Sequence, residues 1–256
     1  TPKPSSAASD VYKRQIEREY WDKRQLVKKI NLNSLYGAIL NPGCRFFDMR
    51  IGQSVTLTGR CITKHMGAKV NEIVAGTYDH VGESIIYGDT DSVYFSAHKP
   101  LAKEIDAGKI PWTNESVISL YDKIADEVNT TFSGFMTKAF HCPTTRGSVI
   151  KAGRELVALK GLFITKKRYA VLYYDKEGER VDNAGIKGKV KAMGLDLKRS
   201  DTPVFVQNFL SDVLYKVLTG ETEEQVLKAI SDFRADFKAR PGWEKGSPKR
   251  ANNVTD

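Results

Sequence analysis

Between Glu83 and Ala97 the chain changes its hydrophobic period, and that change limits the possible folds more than any other feature. Ile85-Ile86-Tyr87 and Val93-Tyr94-Phe95 are short β-branched and aromatic runs set around Gly88-Asp89-Thr90-Asp91, the pattern of two strands joined by a tight turn. Helical spacing flanks it. Ile16, Tyr20, Val27, Ile30 and Tyr36 recur at near-helical multiples until Asn41-Pro42-Gly43 stops the helix, and residues 1–15 read as a disordered or foreign lead-in. A second helix is expected through Phe46, Met49, Leu57, Cys61, Met66 and Val70, breaking near Gly76, and a third over Trp112 to Phe135. Ser148 to Val181 is rich in strand formers. Two closing helices run from Thr202-Pro203 to Gly220 and from the capping box Thr222-x-x-Gln225 to Pro241-Gly242. This order predicts an α+β fold with an antiparallel sheet covered by helices on one face.

The 41% hydrophobic content excludes a wholly disordered chain, and no apolar run approaches the length of a membrane span. Cys44, Cys61 and Cys142 are odd in number and far apart, which argues against a disulfide frame or a zinc site. The net charge of +9 is uneven: residues 1–40 carry +4, 41–144 carry −2, 145–200 carry +8 and 201–256 carry −1. Such a balance favours a polyanionic partner without specifying one.

Four clusters carry chemistry. In an extended chain Asp89 and Asp91 point the same way, and apolar runs on both sides predict strands buried on both faces that deliver two carboxylates to one place. Like charges so close repel unless a cation sits between them, and magnesium uses one or two carboxylates together with substrate phosphates. Gly-Asp-Thr-Asp is also a good turn sequence in its own right. Lys29, Asn33 and Tyr36 share one helix face beside Gly37, offering a cation, an amide, an aromatic hydroxyl and close backbone access to a nucleotide; a solvated helix face with a terminal glycine fits the same spacing. Lys166, Lys167, Arg168 and Tyr169 lead into a strand and suit a phosphate backbone, or a solvated sheet edge. Lys191 to Asp201, with Gly194 and Arg199, reads as a basic connector.

Taken in order, these clusters resemble family B DNA polymerases. K-I-N-L-N-S-L-Y-G over Lys29–Gly37 is similar to that family's fingers motif K-x3-N-S-x-Y-G, Tyr87 to Ser92 looks like its palm motif Y-G-D-T-D-S, Lys166 to Tyr169 like its K-K-R-Y motif, and Lys191 to Asp201 like its palm–thumb junction. The resemblance covers residues 16 to 256. Asn33 to Arg60 and Met193 to Pro203 look most like replicative polymerases of large tailed phages.

The resemblance implies template-directed DNA synthesis with two Mg2+ ions. Asp91 would bind both and Asp89 would shape the same site. Lys29 and Asn33 would contact the dNTP triphosphate, with Tyr36 and Gly37 near the nascent base pair. Lys166, Lys167, Arg168 and Tyr169, with Lys191 and Arg199, would hold the primer–template DNA. Arg154-Glu155 is similar to a further acidic position near the metals. The implied parts are the end of the fingers at 16–42, the C-terminal palm at 43–190, and the palm–thumb junction with a truncated thumb at 191–256. A sliding clamp, other replisome proteins and the cytoplasm of an infected bacterial host are further implications, with no membrane. The family's D-x-x-S-L-Y-P-S motif does not occur in the chain. The expectation is therefore a polymerase segment that does not extend a primer alone. The C-terminal subunit of a split polymerase and a non-catalytic nucleic-acid-binding module are the alternatives.

Overall fold

A computed structural model describes residues 6–182, 185–199 and 201–246. The chain divides between Ile62 and Thr63 into two compact units.

The first unit begins with α1 (Ser6–Ile39), 34 residues long. Periodicity places the helix start at Ile16, yet residues 6–15 are already helical. No Gly or Pro interrupts the chain from Ser6 to Tyr36, and helix formers run unbroken but for Ile16 from Lys13 to Glu19. Ile16, Tyr20, Val27 and Ile30 remain half exposed along it. After the turn at Asn41, the Asp48 carboxylate accepts the Arg50 backbone N–H at 2.9 Å and starts α2 (Met49–Ala75). Hydrogen bonds from Arg50 hold that carboxyl down at about 2.

The second unit takes over within α2, which ends at Gly76 with φ +77. A loop tied to Asn71 leads into the hairpin of β1 (Ile85–Asp89) and β2 (Ser92–Phe95), which form a two-stranded antiparallel sheet of their own. Neither strand contains a fully buried residue, so the expectation of strands buried on both faces is corrected. A pair of strands has one edge partner only, and its outer face stays half open. After α3 (Ala102–Asp106) comes α4 (Asn114–Phe140), started by the reciprocal Thr113–Ser116 capping box and buried through Val117, Ile124, Val128, Phe132 and Met136. A short α5 (Thr144–Gly147) follows.

The larger sheet is built on β4 (Arg168–Lys176), which pairs with β3 (Leu156–Thr165), β5 (Glu179–Arg180) and β6 (Lys189–Met193), all antiparallel. The segment read from sequence as a connector therefore begins inside strand β6, with Lys191 to Met193 paired to β4. Its alternation is hidden because Lys189 and Lys191 flank small or β-branched residues. β4 is buried on both faces, not one. Ala170 and Leu172 pack with Ala192, Leu197 and Leu218 beneath α6 (Val204–Thr219), while Tyr174 and Val157 pack against Val117 on α4. Gly220, at φ +83, ends α6, and the Thr222–Gln225 capping box starts α7 (Glu223–Ala239) as predicted. Phe209 and Phe233 stack with ring centroids 3.7 Å apart to join the two helices.

Candidate active site

The acidic hairpin tip is tightly determined. Asp89 pairs with Ser92 across the strands, leaving Thr90 and Asp91 as the two turn residues. Thr90 has φ +44, unusual for a β-branched residue and of the kind that persists where the surroundings impose it. Its carbonyl accepts the Thr63 hydroxyl of α2 at 2.8 Å, and its own hydroxyl donates to Asp89 Oδ1 at 3.1 Å. Ser92 Oγ donates to the Asp89 carbonyl at 3.2 Å.

This turn breaks the simple alternation that would point both carboxylates one way. Asp89 faces Tyr87 and Lys167, with the Lys167 ammonium 3.7 Å from Oδ1. Asp91 is exposed, makes no hydrogen bond or ion pair with described residues, and borders a cleft of about 480 Å³ that Tyr94, Arg154 and Glu155 also line. Among the described residues no group of three or more His, Cys, Asp or Glu side chains is placed to hold a metal ion. The donor set of this turn is two carboxylates, which fits magnesium only where phosphate or water completes its shell.

The basic turn meets the acidic one. Lys166 and Lys167 form the tight turn between β3 and β4, and the Lys167 backbone N–H donates to the Tyr87 hydroxyl at 2.9 Å. Lys166, Lys167 and Arg168 are exposed. Tyr169, grouped with them in sequence, is buried at 8% exposure, and its hydroxyl lies 3.1 Å from that of Tyr94. Its ring packs with Tyr87, Tyr94 and Phe163 in a four-ring cluster that joins the two sheets. Tyr169 thus supports the turn from inside. Burial, reinforced by the Tyr169 hydroxyl, pushes the Tyr94 phenol well above its ordinary value.

Two other cations expected to face DNA are engaged internally. Lys191 Nζ lies 2.6 Å from Glu155 Oε1, and Arg199 forms a two-pronged pair with Asp201 at 2.9 and 2.7 Å. In the first unit Lys29, Asn33 and Tyr36 share one face of α1, with Lys29 and Asn33 exposed, Tyr36 half-buried and open space around Gly37.

The sequence profile of DNA polymerase family B aligns with residues 10–240, a span that holds all four motifs, the two-carboxylate hairpin and the cationic turn docked to it. The chain belongs to DNA polymerase family B. Among its relatives, the DNA-directed DNA polymerase of Escherichia phage RB69 is 32% identical over 76% of this chain and 22% of its own length. That of Enterobacteria phage T4 is 28% identical over 90% and 26%. The DNA polymerase delta catalytic subunit of Oryza sativa subsp. japonica is 31% identical over 87% and 17%. The chain spans about a quarter of the length of the phage relatives it matches.

Sequence reasoning on this family B chain missed the Tyr87 hydroxyl, the Lys191–Glu155 pair and the pinning of Thr90 by Thr63. Each joins residues far apart in the chain, and no local pattern marks them.

Proposed function

We propose that this chain contributes the second palm carboxylates, the duplex-gripping turn and part of the nucleotide-binding fingers to a replicative, phage-type DNA-directed DNA polymerase. The observation that carries the reading is the docking of the Lys166–Lys167 turn onto the Asp89–Asp91 hairpin. One arrangement offers carboxylates for metal-bound phosphates and, beside them, exposed cations for a phosphate backbone. Asp91, with Asp89 beside it, would hold two magnesium ions, whose positive charge assists attack by the primer hydroxyl and departure of pyrophosphate. The chain's own residues position and neutralise. Lys29 and Asn33 meet the triphosphate, Tyr36 and Gly37 flank the nascent base pair, and Lys166, Lys167 and Arg168 hold the duplex.

On this reading residues 16–42 end the fingers, 43–190 are palm and 191–256 begin the thumb. A sliding clamp, other replisome partners and action in the cytoplasm of an infected bacterium follow from the same reading. Among the described residues no helix is long and apolar enough to cross a membrane.

Calorimetric titration of the chain with a dNTP tests the proposal. Magnesium should raise dNTP affinity, and Asp91→Asn should remove about tenfold of that gain, the effect of roughly 1.4 kcal/mol. Salt-dependent duplex binding indifferent to magnesium, dNTP and Asp91→Asn would instead establish a nucleic-acid-binding module.

A further inference from the structure

The Tyr87 hydroxyl touches both halves of the site. It accepts the Lys167 backbone N–H at 2.9 Å and its own proton points toward Asp89 Oδ2 at 3.4 Å. The residue it holds is in the left-handed region, with φ +62 at Lys167. On its other side the Lys167 carbonyl abuts Gly194, itself at φ +64, where a Cβ would lie 2.1 Å from that oxygen. The backbone of one residue, Lys167, is therefore gripped at its N–H from the hairpin and at its carbonyl from the end of β6. The side chain beyond it is held only loosely: Lys167 Nζ stands 3.7 Å from Asp89 and the side chain is 64% exposed. An exposed pair at that distance contributes little to stability, so it does not account for a backbone held so firmly.

We propose that Tyr87 is a positioning residue that keeps Lys167 poised between Asp89 and the DNA duplex, so that the charge state of the carboxylate pair governs how strongly Lys167 grips DNA. The inference rests on the polymerase reading given above. With Asp89 uncompensated, the ammonium is drawn toward the hairpin. A divalent cation at the carboxylates cancels that attraction and releases the ammonium to a phosphate. Such coupling is reciprocal, so the duplex strengthens cation binding by the same factor.

The test is the affinity of the chain for a fluorescently labelled primer–template duplex at constant ionic strength, with and without Mg2+. It compares the unaltered chain with Tyr87→Phe, Lys167→Met, Asp89→Asn and the Lys167→Met/Asp89→Asn double variant. The expected coupling is about fivefold. Asp89→Asn should tighten duplex binding by that factor beyond its effect in the Lys167→Met background, and Tyr87→Phe should shrink the magnesium-dependent gain. Tyr87→Phe keeps the ring packed against Tyr94, Phe163 and Tyr169, and Lys167→Met alters an exposed side chain, so both retain the fold. Additive effects of Lys167→Met and Asp89→Asn, or full magnesium coupling in Tyr87→Phe, would overturn the inference and leave the polymerase reading standing. Failure of the unaltered chain to bind duplex at all would overturn both.

Discussion

Asn71, with no exposed surface, spends its whole amide on the loop that delivers the hairpin. Its Nδ2 donates to the Thr77 carbonyl and hydroxyl, both at 2.8 Å, and its Oδ1 accepts the Ser84 N–H at 3.1 Å and hydroxyl at 2.6 Å. Stranding a buried polar group costs ~1–3 kcal/mol, so Asn71→Leu, which strands at least two, should lower stability by about 3 kcal/mol. A denaturant midpoint that falls with an unchanged slope would show this, and a loss under about 1 kcal/mol would contradict it. His65 makes a second residue-scale prediction. Thr131 gives its proton to the Val128 carbonyl and so accepts from His65 Nε2 at 3.0 Å, while Nδ1 accepts the Tyr78 hydroxyl at 2.7 Å. The ring stacks on Phe135 at 4.0 Å. Burial lowers the pKa of this imidazole, Lys69 adds to the effect and Glu72 opposes it. The unfolded chain then takes up a proton near about pH 6.5 that the folded one resists. Stability should be full above that pH and fall as pH drops from there to the depressed folded value. His65→Gln should flatten the pH dependence of the denaturation midpoint below about pH 6.5.

At the scale of elements, one buried cation ties three of them. Arg154, just ahead of β3, pairs with Asp122 on α4 and with Asp175 near the end of β4. The two partners differ in burial: the Asp175 side chain is 2% exposed and that of Asp122 is 49%. Removing the arginine leaves Asp175 buried without its cation, so Arg154→Met should cost ~3–5 kcal/mol. Asp122→Asn breaks a half-exposed pair and should cost under about 1 kcal/mol. Equal losses in the two variants, measured by urea unfolding, would contradict this reading of burial. The α7 capping box gives a milder case. Thr222→Ala should cost about 1 kcal/mol and speed amide exchange in the first turn of α7.

At the scale of the molecule, the uneven charge noted in the sequence acquires structure. The +8 of residues 145–200 falls on the four-stranded sheet, its turns and the segments that lead into and out of it, but its cations are not equivalent. Lys166 is exposed at a turn, whereas Arg199 is already held by Asp201. Each phosphate contact contributes about 0.9 to the slope of log affinity against log salt. Lys166→Gln should therefore reduce that slope by about one for duplex binding, and Arg199→Gln by clearly less. Equal reductions would mean that Asp201 releases its arginine when DNA binds.

The hairpin, the helix punctuation at Gly76 and Gly220, the Thr222 capping box and the family motifs were legible because each is written in neighbouring residues. Local backbone preferences act there over a few positions. The half-open state of β1 and β2, the strand character of Lys189–Met193 and the burial of Tyr169 were not legible. They depend on which surfaces meet, and a basic stretch pairs with β4 only because β4 needs a partner on that side. The sequence by itself determined which chemical groups this protein carries and the local turns that present them. Only the tertiary structure decided that Asp89 and Lys167, 78 residues apart in the numbering, face one another through Tyr87, because packing of side chains across two sheets, and no local propensity, sets that distance.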